Sequence, residues 1–515
     1  MPEIALVTVS LAFLMPLGYV LIAAGGLSEE HARHAALSLL AAMGLAVLGY
    51  VAIGFALQFG GVGLIHERPG YEALIWEWSA LGPMWGKGWG MAGLAGWGLA
   101  DAAATASAIT LAFANLPWVI TATAIPLVSL RGRIPAWAAG LIGLLMGAVI
   151  FPVAGNWIWG GGWLANLGNN LGLGHGFVDA GGSGQVHLLG AAAALAGILV
   201  FTSRRPRRKK TDEPIPLPPV HLPILAVVGA GFLLVGSLAW TVSNPLIDLR
   251  TLNLPLLALN GILAASAACI LPLIFTWFLA GTPDPLMATR GFAAGAVAVA
   301  AAAPFIPPMG ALAIGAAIGL LIPLAIFLVD HVLRWDDSTA ALSVHGLAGA
   351  LGLLAVGIFA DGRAGQGWNA IGADSYLGMA RQGVTGALVS GILKPDWPTQ
   401  MQAQLVGIAA LALLGFFAAW LATAPLAVVF RLLGRMIHAT PSASAIPEPT
   451  GTLATTGTLA PTAASASAAT PASAVAEPAA VVTAAVVTDE TPDAPDSITT
   501  PGFDVRGAQG AEAAA

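Results

Sequence analysis

The chain is a succession of long apolar runs separated by short polar breaks. Eleven of these runs are long enough to span a bilayer, which takes roughly 20 residues of helix. They fall at 4–26, 35–58, 90–129, 134–154, 180–202, 219–243, 254–280, 289–304, 308–330, 340–360 and 398–432. The third is long enough to lie tilted, and Pro304, Pro307 and Pro308 separate the eighth from the ninth. Glu3, not a positive segment, precedes the first run, and no clear small-x-small cleavage site follows. That run reads as a span, with a cleaved signal peptide as the alternative. From about His438 the pattern stops and Ala, Thr, Pro and Ser take over. Such a composition buries too little apolar surface to offset the entropy of ordering. The predicted organisation is a transmembrane domain over 1–437 and a disordered tail over 438–515.

Composition agrees with a lipid-embedded body. Of 515 residues, 57% are hydrophobic and 9% charged, against about 25% charged in soluble domains. The 64 glycines suit close helix contacts. A single cysteine, Cys269, excludes a disulfide framework and a cysteine-based metal site. The net charge of −6 matters less than where the charges lie. Alternate loops hold 13 Lys/Arg residues, including the cluster from Arg204 to Lys210, and the opposite loops hold 6. The richer side is expected to be cytoplasmic. An odd number of spans then puts the N-terminus outside the cytoplasmic membrane and the C-terminus inside.

Two histidines stand inside apolar runs, His187 and His345. An ionisable group is expensive in a bilayer, so each is a candidate functional residue. The alternative for each is a histidine bonded to neighbouring backbone. Both follow a valine, both open a small-residue helix, and both have leucine two positions later. They fall in the fifth and tenth spans, so each half has five spans and the halves are predicted to sit inverted. The fold class is all-α polytopic: an inverted five-helix repeat plus one C-terminal helix. Inverted repeats place substrate sites near the midplane, at the repeat interface. Asp179 opens the fifth span, as a helix cap, an aid to cation recruitment, or both. The 16 tryptophans suit an interfacial belt. There is no Walker A loop, no His-Glu-x-x-His and no nucleophile elbow. Nothing calls for a cofactor, a nucleic acid or an enzymatic role.

Over roughly residues 5–435 the chain resembles the ammonium transporter, methylammonium permease and Rhesus family. The resemblance is carried by Gly25-Gly26-Leu27, by Trp159-Gly160-Gly161-Gly162, by Asp179 through His187, and by Asp336-Asp337 followed by Val344-His345-Gly346. It implies a homotrimer with one narrow hydrophobic pore per subunit for ammonium or ammonia. It implies His187 and His345 as a hydrogen-bonded pair in mid-pore, and Trp159 beside an outer recruitment site. Family members stack two Phe rings over the pore entrance. Here the first position falls on Pro117 or Trp118 and the second on Trp240. The family's aspartate five residues before the second histidine is Ala340, and the aromatic three before it is Leu342. Arg290 reads as a loop charge or as a cation reaching the inner vestibule. Asp101 reads as an acid near the outer end of the third span. Gly502-Phe503-Asp504-Val505-Arg506 resembles the family's C-terminal Gly-x-Asp piece, without the residues usual after it. A PII-type regulatory protein is therefore only a candidate partner. The rival functions are an ammonium sensor on the same scaffold, a channel for another small neutral gas or amine, and, more distantly, an intramembrane enzyme.

Overall fold

The computed structural model describes residues 2–26, 29–85, 88–202 and 223–439. The tail expected from 438 onward lies outside them except for its first two residues, as do the Arg204–Lys210 cluster and the Gly502–Arg506 motif. Among the described residues, ten helices are long and apolar enough to cross a membrane. They are α1 (Leu6–Gly25), α2 (Arg33–Leu64), α3 (Ala106–Ser129), α4 (Ala136–Ile158), α5 (Ser183–Phe201), α6 (Pro223–Ser243), α7 (Leu254–Ala280), α9 (Pro308–Leu333), α10 (Leu342–Phe359) and α11, which crosses over Thr399–Phe430. Between α7 and α9 lies a shorter apolar helix, α8 (Pro285–Ala300). Strand structure among the described residues is confined to two small hairpins, β1 (Glu77–Ser79) with β2 (Gly90–Gly93) and β3 (Ser375–Tyr376) with β4 (Met379–Ala380).

The packing partners recur with an offset of five spans. α2 packs on α4 as α7 packs on α9, and α3 packs on α5 as α8 packs on α10. α1 crosses α6, and small residues set the closeness of that crossing. A Cβ on Gly18 would stand 2.3 Å from the backbone nitrogen of Leu233 and 2.4 Å from the carbonyl of Gly229. Only glycine lets these two backbones touch.

Two sequence expectations need correction. The third span does not start at 90. Residues 90–105 are apolar enough to extend it, but Gly96 and Gly98 have φ of 84° and 65°, and Leu99 and Asp101 also turn left-handed. That backbone cannot propagate a right-handed helix. The segment instead makes β2 and two short 3₁₀ turns, and Asp101 sits in one of these, exposed. The helix begins where Thr105 caps it, its hydroxyl accepting from the Ala108 N–H at 3.1 Å. The eighth span starts at Pro285, with Asp284 capping the Leu286 N–H at 2.9 Å. Arg290 therefore lies inside a helix, 5% exposed, and is not a loop charge.

Candidate functional site

α5 and α10 bring the two histidines together. Each helix opens with a π-helical turn, Ser183–Leu188 in α5 and Leu342–Leu347 in α10. Such turns are rare and cluster at functional sites. An aspartate ties down each start. Asp179 Oδ2 accepts from the N–H groups of Gly184 at 3.0 Å and Gln185 at 2.9 Å. Asp337 accepts from Ala341 at 2.9 Å and Leu342 at 2.8 Å through its two oxygens. Both acids stand eight residues before their histidine. The same Asp-x₇-His spacing thus recurs at both helix starts.

The ring of His187 faces that of His345, with Nδ1 to Nδ1 at 2.9 Å. The rings are within 8° of parallel, with centroids 5.0 Å apart, and both residues are buried. One Nδ1 must donate and the other accept, so in the neutral pair one N–H lies between the rings and the second sits on the Nε2 of the accepting ring. Tyr19 of α1 meets the edge of the His345 ring at 4.6 Å.

Tryptophans cover the pair on one side. Trp118 and Trp240 stack at 3.2 Å between centroids with 22° between planes. Trp118, not Pro117, supplies the first ring. The Trp118 ring lies against Gly182, where a Cβ would come within 2.8 Å of it, and the Gly182 carbonyl accepts from the His187 N–H at 3.2 Å. The stack thus sits about one helical turn from the histidines. Trp240 is fixed by its indole N–H to the Ala114 carbonyl at 2.7 Å. Beyond the stack, Trp159 presents its edge to Trp240 at 6.0 Å, and Trp368 meets Trp159 at 5.8 Å. Trp159 and Trp368 line a cavity of about 250 Å³, with His66, Arg68 and Asp248 also in its wall. Trp368, in the α10–α11 connection, had no sequence signal. Asp179 does not line this cavity; it is buried behind the start of α5.

The other end of the histidine column is charged. The Arg290 guanidinium donates to the Ser338 carbonyl at 2.8 Å. Arg133 forms a salt bridge to Asp336. Arg290 and Arg131 are the cations that act most strongly on Asp337. The acid missing at Ala340 is thus accompanied by a buried cation at Arg290. No group of three or more His, Cys, Asp or Glu positioned for a metal occurs among the described residues.

The family model for the Ammonium Transporter Family matches residues 4–434. The chain belongs to the ammonium transporter family. It is 31% identical over 370 residues to ammonium transporter Amt2 of Archaeoglobus fulgidus, covering 70% of this chain and 72% of that one. It is 29% identical over 235 residues to an ammonium transporter of Aquifex aeolicus, covering 46% of this chain and 51% of the relative. In fold it is similar to Candida albicans Mep2, with a TM-score of 0.63 and 20% identity, covering 84% of each chain. It is also similar in fold to a protein described as a sensor Amt protein, with a TM-score of 0.62 and 22% identity, covering 84% of this chain and 93% of that one. In this chain the stacked pair is two tryptophans, Trp118 and Trp240.

Proposed function

We propose that this ammonium transporter moves ammonium nitrogen across the cytoplasmic membrane through a pore defined by Trp159, the Trp118–Trp240 stack and the His187–His345 pair. The observation that carries this reading is the buried, coplanar imidazole pair bonded at 2.9 Å beneath the stacked indoles. In this reading the cavity above Trp159 is the outer vestibule, and the Arg290 end is the cytoplasmic mouth. Ammonium is captured against the indole faces, where a cation–π contact contributes about 0.5–2 kcal/mol. Asp179 adds a favourable field from behind. A bare cation in a water-poor channel loses several kcal/mol of hydration. Passage past the indoles is therefore coupled to loss of a proton, which ammonium gives to water in the outer vestibule as neutral ammonia moves inward. The imidazoles then offer the neutral molecule one donor and one acceptor at a time. Arg290 repels cations at the exit and favours release of the neutral form.

The reading includes inverted halves, an N-terminus outside, a cytoplasmic C-terminus and a homotrimer. Regulation by a PII-type protein belongs to the same reading. The five-span recurrence of packing partners and the paired Asp-x₇-His starts support the inversion. The experiment is flux and current measured together in proteoliposomes. Wild type is expected to take up labelled methylammonium, with ammonium competing. His187→Ala and His345→Ala are expected to lose or alter conduction while the protein stays assembled. Unchanged flux in both variants removes the pair from the pore. No flux in wild type favours a sensor, and uptake that ammonium does not compete favours a channel for another solute.

A further inference from the structure

The outer cavity has an unusual charge balance for a cation receptor. Its wall holds two formally charged residues, Arg68 and Asp248, with His66 beside them. Asp248 is occupied elsewhere. Arg250 clamps it with two side-chain bonds, Nε to Oδ1 and Nη2 to Oδ2, both at 2.9 Å. This bidentate fork is the geometry in which guanidinium best cancels a carboxylate. The Arg68 guanidinium instead donates to the Pro245 backbone carbonyl, which carries no charge to cancel. Arg68 also acts electrostatically on His66, Tyr71 and Asp248, which surround it at the rim. Burial and Arg68 push His66 down to about 4, so that histidine is neutral at ordinary pH. With Arg250 counted beside Arg68 and Asp248, the charges at this rim sum to +1, in the cavity that Trp159 and Trp368 also line.

We propose that Arg68 is a specificity-determining residue of the outer vestibule: its guanidinium opposes capture of the ammonium cation and leaves neutral solutes unaffected. This rests on the reading of that cavity as the recruitment site. The indoles attract the cation at short range, while Arg68 repels it over a distance that depends on salt. At an exposed rim the repulsion is of the order of thermal energy, so its removal is worth about threefold in apparent affinity. The consequence is a transporter whose half-saturation for ammonium falls as ionic strength rises.

The test uses the full chain in proteoliposomes, with methylammonium uptake and ammonium competition read at about 10 mM and about 1 M ionic strength, where the Debye length is about 30 Å and about 3 Å. Arg68→Gln is expected to lower the half-saturation concentration about threefold at low salt and to converge with wild type at high salt. Arg68→Lys is expected to behave as wild type. Arg250→Gln, on an arginine whose side chain is 90% exposed, releases the charge of Asp248 and is expected to shift affinity in the same direction with the same salt dependence. The proposal is overturned if Arg68→Gln and Arg250→Gln match wild type at low salt. It is also overturned if the Arg68→Gln effect persists at 1 M, since loss of the tie to Pro245 is not screened. Absence of uptake by wild type is a different result, and it removes the transport reading itself.

Discussion

At the start of α5, Asp179 is surrounded mainly by backbone N–H groups, those of residues 182–185. At the start of α10, Asp337 receives two N–H groups and also faces Arg290 and Arg131. The two acids occupy the same place relative to their histidines and hold the same kind of helix start. Their neighbours differ because one points toward an aromatic end and the other toward a guanidinium-rich end. The two helix starts thus share backbone geometry, while the side chains brought in from other spans govern electrostatics. On the proposed function, one lip attracts a cation through π faces and the other disfavours it.

The comparison breaks first at Asp337. Asp337→Ala removes two backbone bonds and the strongest of three acids acting on buried Arg290, leaving Asp284 and Asp330, and is expected to destabilise the protein by about 2–3 kcal/mol. Asp179→Ala removes two backbone bonds and no ion partner, and is expected to cost about 1–2 kcal/mol while still impairing uptake. Thermal unfolding in detergent checks both, and equal losses would show that the two ends are electrostatically alike. Next is the α1–α6 crossing. Gly18→Ala drives a methyl into the backbone of α6 and is expected to cost about 1–3 kcal/mol. A neutral result there means that α1 and α6 separate freely. Trp118→Phe keeps an aromatic ring in the stack and is expected to cost about 1–2 kcal/mol with uptake retained. Abolished uptake would mean that the indole itself is needed.

The smallest effect concerns Glu77, again at the Trp159 end. Burial pushes its carboxyl from 4.5 up to about 7, with the Asn156 side chain opposing. A folded-state value above the unfolded one means that ionisation penalises the native state. The penalty is absent below about pH 4.5, grows through pH 7 and is complete above it. Glu77→Gln is therefore expected to raise stability by about 1 kcal/mol at pH 8, less than full burial would give because solvent reaches the group, and to change nothing at pH 4.5. Unfolding temperatures at the two pH values decide it.

Much of this was legible in one dimension. A bilayer demands runs of about 20 apolar residues, so the spans could be read from hydropathy alone, and the two histidines stood out because ionisable groups are rare there. The third span was misread because residues 90–105 are apolar yet carry left-handed backbone, which hydropathy does not register. Trp118 could not be told from Pro117 at the stack, because helix rotation about its axis decides which side chain faces a partner. Trp368 was beyond reach for a further reason: it acts on a group far away in the chain, Trp159. Sequence by itself determined which segments enter the membrane and which two imidazoles they carry, because those follow from local transfer energies. Only the tertiary structure decided what each imidazole, indole and carboxylate faces, because that depends on crossings between spans that no local pattern encodes.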